Sequence, residues 1–379
     1  MATTDINRIL VRRLEKLYGL NKVIVILGPR QVGKTTFLKQ LTTDAGHVLA
    51  FDCDNFDDRL SLESKTKTEL ATLLGKSEVV IIDEAQRVHN IGMTLKMIGD
   101  LHLNARIFVT GSSSLQLSDD INEPATGRLL EFPLFTFSLQ EMAEHTSWRE
   151  EKRLLHQRMI YGAYPEVVMN PEHAQTLLLN IVNSYLYKDI LEYKGIKKPD
   201  VLRKLVVALA LQLGSEVSYN ELSNLLSVDK ETVENYIDLL EKCFVVFRLD
   251  SFSRNIRNEI KKGKKIYFYD NGVRNAVINN FAPIQMRTDV GALWENLMII
   301  ERRKRNAYSG QLATQYFWRT QKQQEIDLLE EKDGVLSAYE FKWKVGKQAS
   351  LSSIFRDAYP NTQLLTVTPD NFQPFVSFS

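Results

Sequence analysis

The clearest chemical signal in the sequence is the glycine-rich segment GPRQVGKT, which ends in a lysine and a threonine. It satisfies the pattern G-x-x-x-x-G-K-[ST] and lies between an apolar run, KVIVIL, and a helical pattern, TTFLKQL. The glycines allow backbone N–H groups to approach phosphate oxygens, and the helix directs its positive end at the same anion. The segment predicts a nucleotide phosphate site formed by Gly28, Pro29, Arg30, Gln31, Val32, Gly33, Lys34, Thr35 and Thr36.

Four side chains in and after this segment have the chemistry that nucleotide hydrolysis needs. Lys34 would contact the β- and γ-phosphates, and the Thr35 hydroxyl would bind Mg²⁺. A second apolar run, VVIIDE, ends in Asp83 and Glu84. Asp83 is expected to hold the Mg²⁺ through water, and Glu84 to polarise the attacking water. Together with the glycine-rich segment, this acidic pair predicts an ATPase whose cofactors are ATP and Mg²⁺.

A third apolar run, RIFVTGSSS, ends in hydroxyl groups that a parallel strand would bring to the same site. Thr110 or Ser112 would then face the γ-phosphate or the attacking water. Arg128 is a candidate for the cation that stabilises the transition state, either in its own chain or in a neighbouring subunit. Arg30, inside the glycine-rich segment, is the alternative.

The elements that must position these side chains alternate between strands and helices. From Lys22 to about Glu141, short apolar runs end in polar residues and helical patterns follow them. Continuous apolar strands followed by helices indicate a parallel sheet that is covered on both faces. Further along the chain, three helical patterns and a pair of strands have the order of a winged helix-turn-helix. We predict an α/β ATPase core at 1–148, a helical lid or linker at 149–200, a winged helix at 201–288 and a mixed α/β domain at 289–379.

The strings GPRQVGKTT, IIDEAQ, VTGSSS, GRLLEFPLFTFSLQE, YGAYPEVV and YLYKDIL resemble the prokaryotic AAA+-type ATPases that carry a C-terminal domain of unknown function. The later strings FSRN, KIYFYDNGVRNAV, WENL, FWR and EIDLL resemble that C-terminal domain. The resemblance covers nearly the whole chain. It implies an ATPase core related to the AAA+ and signal-transduction ATPases, a winged-helix segment and a nuclease-like C-terminal fold.

Charged residues near the carboxyl terminus form a second candidate site. A strand period of two puts Glu325 and Asp327 on one face, and likewise Glu340 and Lys342 on the next strand. Asp327, Glu340 and Lys342, with Glu295 on the preceding helix, resemble the PD-(D/E)XK nuclease pattern. Asp327 and Glu340 would then bind Mg²⁺, Glu295 would complete the ligand shell, and Lys342 would orient or activate water. A degenerate nuclease fold used for DNA docking or assembly is the alternative.

The charged residues of the predicted winged helix give conflicting indications about nucleic-acid binding. Residues 254–265 hold six lysines and arginines against one glutamate, which on a wing would neutralise phosphates. The helical pattern DKETVENYIDLLEKC is instead acidic, and an acidic helix is unsuited to the major groove. We therefore favour a winged helix used chiefly for protein contacts, with non-specific DNA binding through the wing as an alternative and sequence reading as a weaker one. Residues 302–305 are a candidate auxiliary phosphate patch.

Composition bounds the remaining choices. The chain has 48 Lys plus Arg against 47 Asp plus Glu, so a net charge of +1 gives no global attraction to nucleic acid or anionic lipid. Two distant cysteines, Cys53 and Cys243, suit a reducing compartment, and no apolar run approaches the roughly 20 residues that span a bilayer. We expect a cytoplasmic protein with no membrane partner.

The function that these observations favour is an ATP-hydrolysing switch or machine, a homo-oligomer that couples its nucleotide state to the C-terminal modules. Two alternatives stay open. One is a nucleotide-gated protein-binding scaffold in which ATP or ADP sets assembly with negligible turnover. The other is a metal-dependent DNA nuclease that ATP licenses.

Overall fold

The computed structural model describes residues 6–111, 127–184, 190, 196, 198–253, 263–320, 324–344, 346 and 350–378. The chain divides into two compact units. The first comprises Met1–Thr136 with Lys242–Phe244, and the second comprises Phe137–Glu241 with Val245–Ser379. No helix within the described ranges is long and apolar enough to cross a membrane.

The first unit contains a parallel five-stranded sheet. Its strands are β1 Val23–Leu27, β2 Val48–Asp52, β3 Val79–Asp83, β4 Arg106–Gly111 and β5 Leu129–Pro133. Their spatial order is β2-β3-β4-β1-β5, and every neighbouring pair is parallel. All five residues of β1 are buried, as its uninterrupted apolar sequence predicts for a strand covered on both faces. The predicted α/β fold of a P-loop ATPase core is confirmed.

The helices that the described residues of this unit form are α1 Leu10–Glu15, α2 Lys34–Leu41, α3 Phe56–Leu62, α4 Lys67–Leu74 and α5 Ile91–Asp100. Apolar residues of α4 and α5 pack on the sheet with side chains from β1, β3 and β4. Because β4 lies between β1 and β3, the carboxyl ends of these three strands meet at one edge. That edge carries the glycine-rich segment, Asp83 and Thr110.

The second unit begins with helices. They are α6 Leu139–His145, α7 Trp148–Tyr161, α8 Pro165–Met169, α9 Ala174–Ile181, α10 Pro199–Leu211, α11 Tyr219–Leu226 and α12 Lys230–Lys242, with the short strand β6 Glu216–Val217 before α11. The buried carboxylate of Asp270 joins two of the sequence strings noted above. It accepts from the Ala163 N–H at 2.8 Å, after the YGAYP turn, and from the Gly272 and Val273 N–H groups at the start of the next helix.

The second unit also contains a mixed seven-stranded sheet. The remaining strands and helices of the second unit are β7 Val246–Ser251, β8 Lys264–Phe268, α13 Asn271–Val277, α14 Val290–Ser309, β9 Thr314–Arg319, β10 Glu325–Lys332, β11 Val335–Phe341, α15 Ser353–Ala358, β12 Gln363–Val367 and α16 Gln373–Val376. The strand order is β12-β11-β10-β9-β7-β8-β6. Strands from the predicted winged helix (β6 to β8) and from the predicted nuclease-like segment (β9 to β12) therefore lie in one sheet, which β7 and β9 join in parallel.

Candidate functional site

The segment between β1 and α2 has the backbone conformation that a phosphate loop requires. A Cβ atom on Gly28 would lie 2.3 Å from the carbonyl oxygen of Leu134, so only glycine permits this close approach. Gly33 precedes α2 with a φ of 90°, in the left-handed region that favours glycine. The loop thus ends directly at the amino end of a helix, where unpaired N–H groups attract anions.

Lys34 begins α2, and its side chain is buried beneath this loop. Its Nζ donates to the carbonyl oxygens of Gly28 and Pro29, each at 3.3 Å, and lies 3.6 Å from Oε1 of Glu84. Burial lowers the pKa of Lys34, while Glu84 and Asp83 act in the opposite direction. The backbone carbonyl oxygens of Gly28 and Pro29 therefore hold the Lys34 ammonium at the loop, and the Glu84 carboxylate lies slightly farther away.

Thr35 and Asp83 are joined across the site. The Thr35 hydroxyl donates to Oδ2 of Asp83 at 2.9 Å, so the loop and the end of β3 are in direct contact. A hydroxyl and a carboxylate are the hard oxygen ligands that Mg²⁺ prefers. These two residues fit the cation of a magnesium nucleotide, and they are the pair that would hold it.

The buried Thr110 side chain connects both acidic residues. Its hydroxyl donates to Oδ1 of Asp83 and accepts from the backbone N–H of Glu84 at 3.1 Å. Glu84 itself has a φ of 50°, in the left-handed region, and Gln86 donates to its carboxylate. Of the two hydroxyl residues that the sequence singled out, Thr110 lies at the site and contacts the carboxylates. Ser112 lies outside the described residues.

Arg128 lies where the amino end of β1 is, whereas the phosphate loop follows the carboxyl end of that strand. It precedes Leu129, which pairs with Val23 at the beginning of β1, whereas the glycine-rich segment follows the end of β1. At roughly 3.3 Å per strand residue, about 13 Å separates these edges. Arg128 also forms an ion pair with Asp100. The proposed role of Arg128 within its own chain does not fit this register, while a role in a neighbouring subunit stays a prediction. Arg30 lies within the loop itself and is half-buried.

The four candidate residues of the carboxyl-terminal site lie close together in the second unit. Lys342 Nζ is 2.7 Å from Oε2 of Glu340 and 3.8 Å from Oδ2 of Asp327, which also accepts from the Phe341 N–H at 2.8 Å. Glu295, Asp327 and Lys342 line a cavity of about 780 Å³. The other residues lining it include His156, Arg287 and Trp343.

Sequence reasoning missed a second lysine in this cluster. Lys265 is buried, and its Nζ lies 3.2 Å from Oε1 of Glu295 and forms an ion pair with Glu325. Tyr267, two residues along β8, donates to the same Glu295 oxygen. In the sequence, Lys265 belongs to a basic stretch that is expected on or beside the wing. The strand period of two nevertheless places Lys265 and Tyr267 on one face, and this pattern could have indicated the contact.

The cluster is electrostatically self-contained. Burial, reinforced by Asp327, raises the pKa of Glu295 and the pKa of Glu340 to about 7, and burial also raises the pKa of Asp327. Burial alone would lower the pKa of Lys265, but Glu295 and Glu325 outweigh it and the net pKa is raised. No group of three or more His, Cys, Asp or Glu side chains in the described part of the chain is arranged to hold a metal ion. The metal site expected at Glu295, Asp327 and Glu340 stays a prediction.

The basic run at residues 302–305 is not the surface patch that the sequence suggested. Arg302 is buried and donates to both carboxylate oxygens of Glu330. Lys304 is buried and pairs with Glu301 at 2.7 Å, one turn back along α14. These two cations serve the interior of the second unit, so that prediction is wrong for them.

Three family models match separate segments of the chain, and several known proteins are similar to most of it. Residues 20–143 match a family model described as an AAA domain, while 152–283 and 290–377 match two different domains of unknown function. An uncharacterized protein of Mycobacterium tuberculosis is 27% identical over 360 residues, which cover 93% of this chain and 77% of the relative. Another, from Methanocaldococcus jannaschii, is 25% identical over 350 residues, covering 84% and 75%. A solved Walker-type ATPase of Pyrococcus abyssi gives a TM-score of 0.49 at 16% identity, covering 72% of this chain and 96% of that one.

Proposed function

We propose that this chain, whose residues 20–143 are an AAA-type P-loop ATPase domain, hydrolyses ATP and couples its nucleotide state to the second unit. The observation that carries the proposal is the meeting of four predicted residues at one sheet edge. Thr35 contacts Asp83 at 2.9 Å, and Lys34 lies 3.6 Å from Glu84. Two of them belong to the phosphate loop and two stand at the end of β3, and their residue types support the binding and cleavage of a nucleoside triphosphate.

Each side chain takes a distinct part in the proposed reaction. The loop N–H groups bind phosphate oxygens, and Lys34 exchanges its two carbonyl partners for the β- and γ-phosphates. Thr35 and Asp83 would hold Mg²⁺, which would supply positive charge against the negative charge that develops on the phosphates. Glu84 orients water for attack on the γ-phosphate, and Thr110 holds Glu84 and Asp83 in place.

Phosphate release from the purified chain with ATP and Mg²⁺, with and without DNA, tests this proposal. Steady release that disappears in Lys34→Ala supports an ATPase. Tight ATP binding without release supports instead the nucleotide-gated scaffold. Failure of the wild-type chain to bind either ATP or ADP contradicts both functions.

We also propose a homo-oligomer in which Arg128 of one subunit completes the site of another. The support is the position of Arg128 at the sheet edge away from its own phosphate loop. Arg128→Ala should then lower turnover more than ATP binding. Mixing Arg128→Ala with Lys34→Ala should restore part of the activity, because a mixed interface can contain one intact site. Light scattering with an ATP analogue that shows only a 43.6 kDa monomer contradicts the proposal.

A second candidate function is metal-dependent cleavage of DNA by the second unit. The observation that favours it is the cavity that Glu295, Asp327 and Lys342 line together. Plasmid incubated with the Lys34→Ala chain and Mn²⁺ or Mg²⁺ tests it. Nicking that Asp327→Asn abolishes supports a nuclease, and intact plasmid leaves a fold used for docking or assembly. For either function we propose a cytoplasmic location, which suits the two buried free cysteines.

A further inference from the structure

The guanidinium of Arg8 contacts the phosphate loop. Arg8 is only 4% exposed, although it lies near the amino end of the chain. Its Nη2 donates to the carbonyl oxygen of Val32, inside the loop, and its Nη1 donates to the carbonyl oxygen of Phe135 at 2.9 Å. One planar guanidinium therefore connects the loop to the segment that follows β5.

The backbone at Arg8 is itself attached to α2, the helix that the loop leads into. The Arg8 N–H donates to Oε1 of Gln40 at 3.0 Å, and Nε2 of Gln40 donates to the carbonyl oxygen of Ile6 at 3.1 Å. Both bonds hold residues 6–8 against the carboxyl-terminal part of α2. Arg8 is thus fixed relative to the helix while its side chain reaches the loop.

Peptide geometry gives this contact a consequence for phosphate binding. In a trans peptide, the C=O and the following N–H point in opposite directions, and the described chain contains no cis peptide. When Arg8 holds the Val32 carbonyl, the Gly33 N–H must point away from Arg8. At the other end of the loop, the Leu134 carbonyl oxygen closely approaches Gly28. The segment 134–135 therefore contacts the loop in two ways. Leu134 lies directly against Gly28, and Phe135 is connected to Val32 through Arg8.

We propose that Arg8 is a positioning residue that orients the loop N–H groups toward the nucleotide phosphates. This inference rests on the proposed binding of ATP at the same loop. Without the guanidinium, the Val32–Gly33 peptide is free to rotate, and the loop must then be ordered by the nucleotide itself. Arg8 would act through the loop and without touching the nucleotide.

The test compares Arg8→Gln, Arg8→Lys and the matched control Arg12→Gln, an exposed arginine on α1. In Arg8→Gln we expect the dissociation constant of ADP to rise about ten- to a hundredfold, because two charged hydrogen bonds to the loop and its backing are lost. Arg8→Lys keeps the charge but lacks the fork, so it should recover only part of the affinity. Arg12→Gln should stay within about twofold of wild type.

Two further measurements distinguish positioning from a general loss of stability. Amide hydrogen exchange without nucleotide should become faster at residues 30–34 in Arg8→Gln and stay unchanged in the second unit. ATP turnover should show a lower kcat as well as a higher KM. A folded Arg8→Gln protein with wild-type ADP affinity and loop exchange overturns the proposal. If Arg8→Gln does not fold, Arg8→Lys decides, and wild-type values there overturn it. Wild-type protein that fails to bind ADP overturns the proposed function instead.

Discussion

The phosphate loop and the carboxyl-terminal cluster use the same kinds of side chain in opposite ways. At the loop, the Lys34 ammonium contacts two carbonyl oxygens, and its nearest carboxylate is 3.6 Å away. In the cluster, Lys342 lies 2.7 Å from Glu340, and Lys265 pairs with both Glu295 and Glu325. Carbonyl oxygens are partners that a phosphate can replace, whereas the other two lysines are held by carboxyl groups.

This difference separates a site prepared for an anion from a site that balances its own charge. The loop presents helix N–H groups and a lysine to one point, and that combination attracts phosphate. The cluster places four carboxylates around two lysines, and the raised pKa values of Glu295 and Glu340 offset the remaining negative charge. Residue types alone do not distinguish the two sites, because both contain lysine and carboxylate side chains. The two sites differ in the partners of their lysines, which are carbonyl oxygens at the loop and carboxylates in the cluster.

The largest effect that would sharpen the comparison is expected from Glu84→Gln. The change removes the base but leaves Asp83 and Thr35 to hold the magnesium nucleotide. We expect ATP to stay bound and turnover to fall about a hundredfold or more, as measured by filter binding and phosphate release. Glu78→Gln is the control, because Glu78 immediately precedes the same strand at its other end and is half-exposed. A large loss of ATP affinity in Glu84→Gln would show that Glu84 instead positions Lys34.

In the cluster, Lys265→Gln should destabilise the second unit strongly. Removing one buried cation deprives Glu295 and Glu325 of the lysine that both contact, which costs about 3–5 kcal/mol of unfolding free energy. The neighbouring Lys264 lies 4.0 Å from a well-exposed Asp250, so Lys264→Gln should cost less than about 1 kcal/mol. Chemical denaturation of the two variants measures the difference. Equal stabilities would show that the cluster is not balanced by Lys265.

The same variant tests whether the lysine occupies the place of a metal ion. In the Lys34→Ala background, which removes nucleotide-site effects, Mn²⁺ should raise the melting temperature of Lys265→Gln more than that of the parent. The freed carboxylates then have a divalent cation to bind. Adding Asp327→Asn and Glu340→Gln should abolish the increase. A parent protein that Mn²⁺ stabilises equally would mean that the metal site coexists with Lys265.

The dependence of stability on pH should distinguish the cluster with a smaller effect. Glu295 and Glu340 each have a folded pKa of about 7, above the value for an unfolded glutamate. Their contribution is therefore fully present below about pH 4.5 and is lost as the pH rises through about 7, by up to about 3 kcal/mol for each group. Relative to wild type, Glu295→Gln with Glu340→Gln should become steadily more stable from pH 5 to pH 8. A flat difference for the double variant would contradict the raised pKa values.

Much of the phosphate site could be predicted because a local motif defines it. The loop, Thr35, Asp83 and Glu84 follow from strand ends and glycine spacing, and parallel strands bring such ends together. Arg8 could not be found in this way, since its contact with Val32 depends on tertiary packing between distant segments. The continuous seven-stranded sheet could not be predicted from the sequence either, because the parallel pairing of β7 with β9 joins residues about 65 positions apart.

The smallest expected effect concerns the link between the acidic residues of the phosphate site. Thr110→Val keeps the side-chain volume but removes the hydroxyl that contacts Asp83 and the Glu84 N–H. Thr110→Ser keeps the hydroxyl and loses one buried methyl group, worth about 0.8 kcal/mol of unfolding free energy. If the hydroxyl positions the carboxylates, valine should lower kcat about tenfold and serine should leave it near wild type, although both proteins are somewhat less stable. Phosphate release at saturating ATP, measured beside denaturation curves, separates the two effects. A fall in kcat that follows stability in both variants would mean that Thr110 only fills space beneath the site.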